Sequence, residues 1–119
     1  MRHLLDSLTR SLDNGQAEPA ATPPFVYVTA IHSDAGLMRS LAGITLISRE
    51  LGFERDAETL FSGDASSATF HAQHNRSAVA LAVEVCPPRK TVSIAVSGHD
   101  NTSTYALFLE ADRRLFGPC

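Results

Sequence analysis

The chain is 119 residues long, the size of one domain with room for one modest hydrophobic core. Hydrophobic residues at 44% and charged residues at 19% exclude a disordered acidic chain and a coiled coil, and the low aromatic content (no Trp, 7% in all) predicts a core built mainly from Val, Leu, Ile and many Ala. Lys and Arg total 10 against 13 Asp and Glu, and the resulting net charge of −3 argues against a nucleic-acid binder, which needs a basic face to displace counterions.

Residues 1–13 bring Leu4, Leu5, Leu8 and Leu12 to one face of a helix, with Arg2, Asp6, Ser7, Arg10 and Ser11 mainly on the other. Asn14 and Gly15 stop it, since both tolerate the left-handed conformation. A helix this short is unstable alone, so the Leu stripe has to dock: on its own domain, on a second subunit or in a partner's groove. Residues 14–24 are a linker by composition, with Pro19, Pro23 and Pro24 keeping the chain extended. The N-terminus lacks the continuous apolar run of a secretory signal, and no stretch reaches membrane-spanning length. With only Cys86 and Cys119 there is no disulfide framework, so a cytoplasmic protein without a membrane partner is expected.

Residues 25–119 read as a single α/β domain. FVYVTAIH (25–32) is a strand by its β-branched and aromatic content, and both its faces are apolar, which predicts a central strand covered on both sides. Ser33 to Gly36 form a turn in which Asp34 bonds its own backbone and Gly36 takes positive φ. The stretch 37–62 admits two readings. In one, a helix starts at Asp34, turns Leu37, Leu41, Ile44, Ile47 and Leu51 inward and ends at Gly52. In the other, 37–42 is a second strand in a hairpin with 25–32. Gly43 then breaks the chain, and a helix runs from about 44 to 61 on the stripe Phe53, Ala57, Leu60 and Phe61.

The second half predicts a three-stranded antiparallel meander. SATFHAQH (67–74), AVALAVEVC (78–86) and TVSIAVS (91–97) alternate, with turns at Asn75-Arg76 and Pro87 to Lys90. One face carries Val79, Leu81, Val83, Val85, Val92, Ile94 and Val96. The other is small, including Ala80 and Ala82, and lets another element approach closely or faces water. A final amphipathic helix follows, capped by Asn101, Thr102 or Ser103 and stopped by Gly117-Pro118. The fold class is α+β: a mostly antiparallel sheet with a C-terminal three-stranded meander, packed by helices, with amphipathic helices at both ends.

Under the hairpin reading the order is helix, two strands, helix, three strands, helix. HLLDSLTRSL, the hairpin FVYVTAIHSDAGLMRSL with its D-x-G-L turn, and the tail AVALAVEVCPPRKTVSIAVSGHDNTSTYALFLEADRRLF resemble the Roadblock family, relatives of the longin and profilin-like folds. The long Pro-rich linker and Gly52 depart from that pattern. The resemblance implies a dimer without catalytic residues that scaffolds or regulates a protein partner, such as a small GTPase.

Chemistry-bearing residues are few. His71 and His74 form H-x-x-H, but on a strand they point to opposite faces. His32, His99 and Cys86 are the groups that would complete a zinc-type site with them. Cys86-Pro87 reads as a strand end, Glu84 as an exposed residue, and Ser62 to Ser67 as a solvent loop without a phosphate-loop lysine. The expectation is therefore a non-enzymatic, homodimeric module for a protein partner, with no cofactor or metal, whose interface uses Leu4, Leu5, Leu8, Leu12, Ala80 and Ala82. The alternatives are a small-molecule or metal-binding domain using His32, His71, His74 and His99, in the manner of an ACT or vicinal-oxygen-chelate module, and a secretion or assembly chaperone.

Overall fold

The computed structural model describes residues 22–117, so the stripe Leu4, Leu5, Leu8 and Leu12, most of the linker and Cys119 lie outside the described residues. The elements run β1 (Phe25–His32), α1 (Leu37–Glu50), β2 (Phe53–Phe61), β3 (Ala68–His74), β4 (Val79–Cys86), β5 (Thr91–Gly98) and α2 (Asn101–Phe116), with a 3-10 turn at Pro87–Arg89. The five strands form one sheet in the order β1-β5-β4-β3-β2, and every neighbouring pair is antiparallel. This is an α+β fold with the expected meander β3-β4-β5 at its centre and helices packed on the sheet.

The alternation of β4 decides which face is covered. Val79, Leu81, Val83 and Val85 are all buried, and they pair with Val96, Ile94 and Val92 of β5 and with Phe70 and Ala72 of β3 on the same side. Leu41 and Ile44 of α1 and Ala111 of α2 close over them, so both helices share one face: α2 over β1 and β5, α1 over β2, β3 and β4. Arg114 of α2 donates to Glu50 of α1 and ties the helices together.

Of the two readings of 37–62, the helix that ends before Gly52 is the one that forms. Leu41 and Ile44 are buried, Leu37 and Leu51 pack beside them, and Gly52 leaves the helix at φ 93°. The hairpin partner at 37–42 and the helix at 44–61 do not form. Phe53–Phe61 is instead the edge strand β2. Two register shifts against β3, the second of them containing Asp56 at φ 53°, break the two-residue period and leave spacings that mimic a helical stripe. Phe25–His32 is likewise an edge strand, not a central one. Two turn details also differ. Ser33, not Asp34, accepts the Ala35 N–H, and Gly36 sits at φ −69° as the cap of α1. Asp100, not Asn101, Thr102 or Ser103, caps α2, its carboxylate accepting from the Ser103 N–H at 3.0 Å, and the three expected caps form the first turn.

Gly43 lies inside α1, and a Cβ built there meets nothing within 4 Å. It contributes no packing and only loosens the helix. Gly43→Ala should raise stability by about 0.5–1 kcal/mol in urea unfolding. An unchanged or lowered midpoint would show that the position needs glycine.

Candidate functional site

The face opposite the helices is written by register alone. One row across the sheet reads Val28, Ala95, Ala82, His71 and Glu58, and the next reads Val26, Ser97, Ala80, Gln73 and Arg55. A third reads Ala30, Ser93, Glu84, Thr69 and Leu60. Each row is apolar on β1 and small on β5, and two of the three end in a charge on β2. Among the described residues no element covers this face. Val26 and Val28 are 56% and 67% exposed, high values for β-branched residues of a strand.

The polar margin is internally paired. The Arg55 guanidinium donates to the Gln73 carbonyl at 3.0 Å, and the His71 ring stands 3.6 Å from the Glu58 carboxylate. A shallow cleft of about 330 Å³ opens at the Gly98 end of the face, where Pro24, Arg55, Gln73, Ala80, Ser97 and His99 meet. On the helix side, Ile31, Arg39, Ile47 and Phe116 line a cavity of about 180 Å³. Both are small or open beside the enclosed clefts of roughly 300–1,000 Å³ that hold small molecules.

The structure brings Ala80 and Ala82 together on the open face, but it does not gather the four histidines. His71 lies on that face and His74 on the helix side. His32 and His99 sit at opposite ends of β5's length, since His32 pairs with Thr91 while His99 follows Gly98. Among the described residues no three His, Cys, Asp or Glu side chains are grouped to hold a metal. Cys86 is half-buried where β4 gives way to the 3-10 turn. No helix among them is long and apolar enough to cross a membrane.

His74 has a different task. Its Nδ1 accepts from the N–H groups of Arg76 and Ser77 at 3.2 and 3.1 Å, which leaves Nε2 as the donor to the Leu51 carbonyl at 3.2 Å. The ring also stands edge-on to Phe53, with centroids 5.1 Å apart. A Cβ on Gly52 would come 2.7 Å from Nε2, so glycine is required there twice, by its positive φ and by the ring beneath it. His74 thereby locks the α1–β2 corner to the β3–β4 turn. No local sequence pattern marks this role, which depends on Leu51 and Gly52 across the pairing of β2 with β3.

Asp64 organises the Ser62–Ser67 loop, where its Oδ1 accepts from the hydroxyls of Ser62 and Ser66 and from the Ser66 N–H. The hydroxyl and N–H of Ser66 and the hydroxyl of Ser62 hold its carboxyl down, from the ordinary 3.8 to about 2. The Ser103 hydroxyl and N–H lower that of Asp100 in the same way. Comparison with family models, with curated proteins and with solved structures finds no match.

A carboxylate held below its unfolded pKa stabilises the fold above that value and releases this contribution as pH falls through the folded one. The Asp64 carboxyl should titrate near pH 2 in carbon-detected NMR, with the Ser66 amide resonance moving alongside it; a midpoint near 3.8 would show the loop to be unstructured. His74→Ala, which strands the Arg76 and Ser77 donors, should cost about 1–3 kcal/mol in chemical unfolding. A loss below about 0.5 kcal/mol, the level of an ordinary surface change, would deny the corner lock.

Proposed function

We propose that the chain is a non-enzymatic, dimeric interaction module, an adaptor or regulator that holds a protein partner against the uncovered face of its sheet. The observation that supports this reading is the row Val28, Ala95, Ala82 on a face that the described helices leave open. Small side chains let a partner's backbone approach closely, and Ala loses almost no side-chain entropy when it is covered. Covering the exposed part of Val26 and Val28, rather more than half of each, would contribute about 1 kcal/mol each. The gradient toward Arg55 and Glu58 gives the partner an orientation, because it needs leucine-like side chains over β1 and β5 and polar groups over β2.

The Roadblock resemblance supports the same class of function and implies a small GTPase as the partner. It rests on the closing meander and the final helix, since the hairpin part of it does not form. The test is capture of partners from native lysate by the full chain and by Ala82→Arg. Ala82 lies on the open face, so Ala82→Arg should fold with stability within about 0.5 kcal/mol of the parent chain while losing the captured protein. Identical capture by both chains, or no capture by the parent, would overturn the reading.

A further inference from the structure

Strand β1 has the composition of a strand enclosed on both sides, yet it lies at an edge of the sheet. It pairs with β5 over all eight residues without a register shift. The Ser33 N–H donates to the Lys90 carbonyl, which continues the ladder, so the odd-numbered residues bond β5. The N–H and C=O groups of Val26, Val28, Ala30 and His32 therefore point out of the sheet, and among the described residues no strand receives them.

The two edges differ in how they are protected. β2 carries exposed Glu54, Arg55, Asp56 and Glu58, two register shifts and a positive φ, which are devices that prevent edge-to-edge pairing. Residues 25–32 contain no Asp, Glu, Lys, Arg, Pro or Gly. The helix above continues the apolar strip. Tyr105 lies 5.0 Å, centroid to centroid, from Tyr27, and Leu109 follows one turn later, both about 45% exposed. Among the described residues, six of the ten large exposed apolar side chains lie along this one edge: Phe25, Val26, Val28, Ile31, Tyr105 and Leu109.

We infer that this edge is the seam of a homodimer, in which β1 pairs antiparallel with β1 of a second copy. The inference rests on the dimeric part of the proposed function and names the surface that makes the dimer. The ends of the strip are complementary in that arrangement. Asp100 stands at the Phe25 end, while Arg89 and Lys90 outnumber Asp34 at the His32 end. Antiparallel pairing sets the acidic end of one copy against the basic end of the other. The strip is roughly 26 Å long and 20 Å high through the sheet and helix layers, about 500 Å² of each copy, somewhat under a standard interface. The backbone hydrogen bonds supplement it, and the dimer dissociates on dilution.

The test is sedimentation of the full chain across concentration, joined to hydrogen exchange read residue by residue. At high concentration the chain should be a dimer in which the amides of Val26, Val28, Ala30 and His32 exchange roughly tenfold more slowly than after dilution. Val28→Lys should weaken the dimer by roughly tenfold or more, because edge lysines block strand pairing. Val28→Thr should leave it intact, and Ala30→Lys on the same edge repeats the test should Val28→Lys fail to fold. A dimer whose outward amides exchange fast would place the seam elsewhere and overturn this inference while leaving the dimeric reading standing. A monomer at all concentrations would overturn both. Slow outward amides in a monomer would assign the edge to the chain's own N-terminal segment and overturn the seam.

Discussion

The run Val79, Leu81, Val83 and Val85 is the constraint on which the rest of the molecule depends. Each of these side chains is at most 2% exposed, and each would lose about 1.5–3 kcal/mol if left in water. Since they alternate strictly, they all point one way, and the paired residues of β3 and β5 point with them. A sheet with one such face has to be covered on that face. Both described helices are committed to it, and their connections follow from that commitment: α1 carries the chain from the β1 edge to the β2 edge, and α2 folds back over β5 and β1.

Close approach at two corners keeps that cover in place. Gly98 ends β5 where a Cβ would stand 2.5 Å from the Thr104 hydroxyl and 3.0 Å from the Ala78 carbonyl. Glycine there lets the first turn of α2 sit directly on the strand ends. Buried Thr104 satisfies its hydroxyl on the Asp100 carbonyl, within the same turn that the Asp100 carboxylate caps. At the other corner the His74 ring occupies the space a side chain at Gly52 would need. In both places a glycine in the sequence is explained by the partner atom that takes the room.

The central meander and the final helix were legible in the sequence because their periods are clean. Val79 to Val85 and Val92 to Val96 alternate without interruption, and the last helix has capping residues before it and Gly117-Pro118 after it, although the cap falls on Asp100, just before the three residues expected. The α1–β2 region was ambiguous for a physical reason. Gly43 is a breaker by propensity but sits in open space, where a helix tolerates it, and β2 hides its period behind two register shifts. Ala80 and Ala82 could be assigned to the small face from alternation alone. The role of His74 could not, because it depends on Leu51 and Gly52, more than twenty residues away and brought near only by the pairing of β2 with β3. The misplacement of β1 is the most informative difference. Apolar faces on both sides are normal for a strand inside a sheet, and here they belong to a strand with one neighbour.

The open face and the open edge are compatible, and each makes the other more useful. Residues directly opposite in an antiparallel pair share a face, so a two-fold axis passing between the two β1 strands stands perpendicular to the sheet. Both copies then turn their helices to the same side and their uncovered rows to the other. Val28 and Ala82 of each copy would lie on one continuous ten-stranded surface, apolar along the central seam and charged at both outer margins, where Glu58 and Arg55 stand. The apolar end of each row, which is the costliest part to leave in water, would fall at the centre of that surface. A partner would then meet a symmetric platform in which apolar contact is central and polar contact is peripheral, the arrangement that distinguishes the core of a protein interface from its rim.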